Sequence, residues 1–260
     1  MNKFWSIATK IGTIFGVIGI SANNLLDDKE KSLAAFIIVI LAALYCCWQM
    51  QRLFALALRR RYKSGFLPIA SSTRFSTSDG KHYTYEQFRH IQVKKPYMRF
   101  FEHKFVWTGT NVPVVSSDLQ RVKQPEVMEM EHGSHGHCVK LEFLSTRIYN
   151  DAEVVHINMA VDDSDQRASP HISQKVEEPV RLLSWRIELL HATQSYYKNK
   201  AELTRKPIDK PGANKESIKS INFDVASKSY SANLPNPEPG YAYTLSWERP
   251  PLPRNGRGKK

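Results

Sequence analysis

The sequence predicts a two-helix transmembrane hairpin followed by an all-β domain, a β-sandwich or barrel of about ten strands. Three observations predict it. A charge-free apolar run extends from Leu33 to Met50, a second apolar stretch precedes it, and period-two alternation replaces both from about Gly65.

The run Leu33–Met50 (LAAFIIVILAALYCCWQM) nearly spans a hydrocarbon core of about 30 Å at about 1.5 Å per residue. The helix can continue through Gln51–Leu58, with Arg52 reaching to the interface and Trp48 near headgroup level. Phe4–Ala22 is the other expected span, interrupted by Lys10. Its Gly12, Gly16 and Gly19 lie on or near one face and permit close helix approach. A cleaved signal peptide is the rival reading, weakened because another span follows at once. The polar link Asn23–Ser32 joins the spans, so residues 1–63 form a hairpin with spans at about 4–22 and 33–58. Arg59, Arg60, Arg61 and Lys63 follow the second span, whereas the link carries only Lys29 and Lys31. Basic residues remain on the inner side, so both termini are expected in the cytoplasm, with the four basic residues at the membrane surface.

The net charge of +12 is unevenly distributed. Residues 1–64 hold nine Lys/Arg against three Asp/Glu, and residues 249–260 hold five Lys/Arg and no acid. Residues 65–248 are left at +1. A nucleic-acid surface needs basic residues clustered on the fold itself, so neither DNA nor RNA is an expected partner. The bilayer is. Cys46, Cys47 and Cys138 offer no disulfide framework, and Cys46 and Cys47 are read as packing within the span.

The β domain is expected over residues 65–248, with a basic disordered tail at 249–260. Alternation is clearest in Tyr241–Glu248, Val139–Leu144, Val154–Val161, Leu182–Leu190 and Phe101–Trp107. Weaker strands are expected near 84–94, 112–117, 171–177, 200–206, 218–225 and 228–234, and 118–136 reads as a loop or short helix. One contiguous core is expected.

Catalytic motifs are missing: no phosphate-cradling glycine loop, nucleophile elbow or metalloprotease helix occurs, so an enzyme is not expected and no cofactor is implied. The densest metal-like cluster is His132, His135 and His137 beside Cys138, which would serve a metal-dependent membrane enzyme. A solvated loop entering a strand is the plainer account. Asp162, Asp163 and Asp165 lack the ligand spacing of a calcium loop and read as a turn. Tyr97, Arg99, His103, Lys104 and Trp107 are candidates for a ligand face, because aromatic and basic groups together suit phosphates and bases. The plainer account makes them the core and solvent sides of one strand.

The plan of Phe4–Ala22, Leu33–Met50, Arg59–Lys63 and the strands after Tyr83 resembles the two-transmembrane, β-strand-rich effectors of bacterial antiphage signalling, such as the cyclic-oligonucleotide-based systems. The resemblance is architectural. It implies an inner-membrane protein whose cytoplasmic β domain binds a nucleotide second messenger, after which the chains oligomerise and the spans disrupt the membrane. A non-toxic anchored module that recruits a protein partner through a sheet edge or loops is the alternative.

Overall fold

The computed structural model describes residues 28–129, 135–210 and 212–252. The chain divides into two units, Met1–Ala57 and Leu58–Lys260. The expected first span, Phe4–Ala22, lies outside the described residues.

Helix α1 runs from Asp28 to Arg61, with Arg59, Arg60 and Arg61 in its last turn. Its segment Leu33–Arg61 is long and apolar enough to cross a membrane, with a mean hydropathy of 2.2. Phe36, Val39, Leu41, Leu44 and Trp48 are all exposed. Among the described residues no protein covers this apolar surface, which suits a lipid environment. A positive-φ glycine, Gly65, ends the turn after α1 (φ 79°). The Gly65 N–H donates to Tyr62 O, and Lys94 N–H donates to Gly65 O.

The second unit is strand-rich, with thirteen strands among the described residues: β1 (Phe66–Thr77), β2 (His82–Val93), β3 (Tyr97–Phe105), β4 (Val114–Ser116), β5 (Arg121–Glu129), β6 (His135–Ile148), β7 (Ala152–Asp162), β8 (His171–Val176), β9 (Leu182–Leu189), β10 (Lys200–Pro207), β11 (Glu216–Asn222), β12 (Ser229–Pro235) and β13 (Tyr241–Ser246). Two of these go beyond the eleven segments expected from alternation. Residues 121–129 form a strand rather than a loop or helix, and β1 was not anticipated.

The strands make a six-stranded sheet (β12-β9-β1-β2-β7-β4), a four-stranded sheet (β11-β10-β13-β8) and a three-stranded sheet (β3-β6-β5). In the large sheet β1 pairs with β2 antiparallel and with β9 parallel. The register places Thr73 beside both Gln87 and Trp185, and Gln87 beside Ile157. Paired residues point to the same side of a sheet. One face therefore carries Leu183, Trp185 and Ile187 at one end, Val155, Ile157 and Met159 at the other, and the side chains of β1 and β2 between.

The core divides accordingly. Trp185, Tyr230, Leu203, Tyr243 and Leu245 join the large sheet to the four-stranded sheet. Ile91, Val155, Ile157, Phe101, Val139 and Leu141 join it to the three-stranded sheet. Phe75 and Tyr85 pack against both clusters. The single core expected from sequence is thus two cores on one face, because the strands between them carry polar side chains on that side.

Candidate functional site: a cleft between two sheets

The two small sheets leave a cleft of about 1340 Å³ above β1 and β2. Its floor includes Ser71, Phe75, Tyr85, Gln87 and Arg89; β3 and β8 border its sides. The floor positions would hold apolar residues in a continuous sandwich. Here they form a hydrogen-bonded polar stripe. Gln87 Nε2 donates to Ser71 Oγ at 3.3 Å and to Thr73 Oγ1 at 3.2 Å. Gln87 Oε1 accepts from Arg89 Nε at 2.9 Å. Ser71, Thr73 and Gln87 are all buried.

Arg89 is the exceptional member. Its guanidinium carbon lies 6.0 Å from the Phe101 ring centroid. Burial pushes its pKa below the ordinary value. Arg89 is half-buried, and a cation withdrawn from water is normally compensated by a carboxylate. Among the described residues none forms an ion pair with Arg89 and no hydrogen bond engages Nη1 or Nη2, whereas Arg74, Arg99, Arg147, Arg205 and Arg249 all have acidic partners.

His103 and Trp107 add two more polar atoms. The His103 ring is buried, and its Nδ1 has no hydrogen-bond partner among the described residues. Burial first, and the Arg89 charge second, hold its pKa well below the ordinary value, so the imidazole is neutral at pH 7. Trp107 Nε1 is likewise buried and unpartnered. Gly109 makes room for the indole, since a Cβ there would stand 2.6 Å from Trp107 Cζ2. Arg89 and Trp107 offer donors only, and His103 can offer another. Such a floor calls for a ligand rich in acceptors, a carboxylate or a phosphate.

One end of the cleft is closed by Arg249. Its Nη2 donates to Asp163 Oδ2 at 2.8 Å and to Ala168 O, and its Nη1 donates to Tyr83 OH at 3.3 Å. Asp163 is fully buried. Arg249 and its neighbours through Leu252 belong to the stretch expected as a tail, and residues 253–260 lie outside the described residues. At the other end, Ser64 Oγ donates to Glu178 Oε1 at 2.9 Å.

All five ligand-face candidates from sequence border this cleft, but in different ways. His103 is buried and Trp107 half-buried, both beside the floor. Tyr97, Arg99 and Lys104 are exposed, and Arg99 is bound to Glu142 at 2.7 Å. Arg59, Arg60, Arg61 and Lys63 are exposed at the start of the unit. Of the metal candidates, His132 and the side chain of His135 lie outside the described residues. His137 stacks on Phe105 with centroids 5.3 Å apart. Among the described residues no group of three His, Cys, Asp or Glu side chains could hold a metal ion.

Sequence reading missed Arg89, Gln87, Ser71 and Thr73. The available signal was the odd-numbered face of 84–94, where Tyr85, Gln87 and Arg89 break a row continued by Ile91 and Val93. A second buried polar group, His156 on the opposite face, is fully engaged. Its Nδ1 accepts from Asp118 N–H at 3.1 Å, Nε2 lies 3.3 Å from Glu86 Oε1, and the ring stacks on Phe88. That arrangement is structural.

No protein-family model matches this chain, and no curated protein does. Among solved structures it is similar to the M1 zinc metallopeptidase from Deinococcus radiodurans, at 6% identity and a TM-score of 0.37 over 70% of this chain and 42% of that one. It is also similar to a candidate protease from Parabacteroides distasonis, at 7% identity and a TM-score of 0.41 over 70% of this chain and 40% of that one. This chain thus spans less than half the length of either, and similarity of that order assigns neither family nor activity.

Proposed function

We propose that this chain is a membrane-anchored sensor and effector. Its β domain takes an anionic ligand into the cleft, the chains associate, and an N-terminal hairpin of Phe4–Ala22 and α1 responds within the bilayer. The observation that carries the ligand part is the Arg89 guanidinium, held through Nε and left without a carboxylate among the described residues. Helix α1, apolar and exposed among the described residues, supports the anchor. The basic residues Arg59, Arg60, Arg61 and Lys63 support a cytoplasmic β domain. In the antiphage form of this reading the membrane is a bacterial inner membrane, the ligand is a nucleotide second messenger and the response is membrane disruption. An acidic peptide answers the same chemistry.

The test is reconstitution of the full chain in dye-loaded liposomes, with cyclic nucleotides and acidic peptides added in turn. A ligand that shifts the assembly state and releases dye, with Arg89→Gln inert to it, is the expected result. A ligand effect retained in Arg89→Gln contradicts the reading. The second reading, a non-toxic interaction module, is favoured by the open strand edges of β3 and β8. It predicts binding without dye release and without growth arrest on overexpression.

A further inference from the structure

We infer that the cleft binds an acidic peptide in extended conformation, which adds as a strand to the open edge of β8 and places a carboxylate on Arg89. This rests on the cleft being the ligand site and names the ligand's class.

The pattern of the lining is the first reason. All six residues of β8, His171–Val176, border the cleft, and so do eight of the nine residues of β3. A strand presenting a face contributes alternate residues; a strand presenting its edge contributes consecutive ones. Both strands are edges, β8 of the four-stranded sheet and β3 of the three-stranded one.

The ladder shows which backbone groups are open. Trp247 N–H donates to Pro170 O at 3.1 Å. Ile172 then stands opposite Leu245 and Gln174 opposite Tyr243. Antiparallel pairs alternate between bonded and non-bonded residues, so the groups of Ile172 and Gln174 turn to β13 while those of Ser173 and Lys175 turn away. Among the described residues no turn or side-chain hydrogen bond engages the backbone of either. An alternating row of donors and acceptors at strand spacing fits another strand.

Charge completes the case. Seven basic and four acidic side chains line the cleft, although residues 65–248 as a whole carry only +1. Arg249 and Asp163 neutralise one another. Arg89 meets an acidic side chain, and Phe105 and Trp107 offer an aromatic wall to alternate residues of the same strand.

The experiment uses the full chain in detergent micelles against a displayed library of short random peptides. Selected sequences should be rich in Asp and Glu and poor in Pro. A synthetic selected peptide should bind Arg89→Gln and Ser173→Pro at least about tenfold more weakly than the parent, and Ser173→Ala equally well. Proline at this edge removes an outward N–H and leaves the β8–β13 ladder intact. Lys175→Pro serves the same purpose should Ser173→Pro fail to fold. Equal binding to a folded proline variant, or selection without acidic enrichment, overturns strand addition. If cyclic nucleotides bind in an Arg89-dependent way that Ser173→Pro does not alter, the cleft reading stands and the peptide falls. If Arg89→Gln changes neither ligand, both fall.

Discussion

Gln87 clamps Arg89: its Oε1 takes the Nε proton at 2.9 Å while its Nε2 is tied to Ser71 and Thr73. The clamp fixes the direction of the guanidinium and leaves its two terminal nitrogens without a hydrogen bond among the described residues. Gln87→Met removes it and leaves the Ser71 hydroxyl without its Gln87 donor on a buried floor. Such a loss costs about 1–3 kcal/mol. Urea denaturation should show it, together with a weaker ligand affinity. A variant as stable and as tight as the parent would contradict the clamp.

Arg89 itself should be a burden on the empty fold, since its desolvation is not offset by a carboxylate among the described residues. Arg89→Met fills similar space without the charge. It is expected to change stability by no more than about 1 kcal/mol, because relief of the withdrawn charge is offset by loss of the partner of Gln87 Oε1. Thermal unfolding checks this, and a clear fall in Tm would mean that Arg89 is compensated within the chain.

Arg249 and Asp163 behave in the opposite way. Asp163 is fully buried and bonded at 2.8 Å. Arg249→Met leaves a buried carboxylate unpaired, at a cost of about 3–5 kcal/mol. The double variant Arg249→Met, Asp163→Leu should recover much of the loss, which a double-mutant cycle measures.

His103 links stability to pH. Its folded pKa lies well below the ordinary value, through burial and then the Arg89 charge. The unfolded chain takes up this proton near pH 6.5 (about the ordinary value) and the folded chain only at lower pH. The unfolded state therefore binds more protons between the two values. Stability present above about pH 6.5 is lost as the pH falls toward the folded value. His171 and His191, lowered chiefly by burial, act in the same direction. Exposed His82, raised by its bond to Asp79, acts in the other. Unfolding measured at pH 7 and pH 5 should show a smaller loss in His103→Phe than in the parent, and an equal loss would exclude His103 as a contributor.

The elements that alternate strongly were legible in the sequence. Val155, Ile157 and Met159 in β7 and Leu183, Trp185 and Ile187 in β9 point into core, and their period announces it. Helix α1 was legible because its apolar run is uninterrupted. Strand β1 was not. Its inward face reads Ser71, Thr73, Phe75 and Thr77, three hydroxyls and one ring, because it floors a cleft rather than a core. The parallel β1–β9 pairing was equally hidden, since the partners are more than a hundred residues apart. His103 and Trp107 stood out as residue types. Arg89 did not, because what distinguishes it is a missing partner, and only the fold reveals which carboxylates stay away.

The most direct measurement is the affinity of one selected anionic ligand for the full chain and for Arg89→Gln, titrated calorimetrically under identical salt. A loss of about 30-fold or more, the scale of removing one partner of a desolvated charge pair, is the predicted result. Equal affinities would show that the guanidinium in the cleft does not receive the ligand.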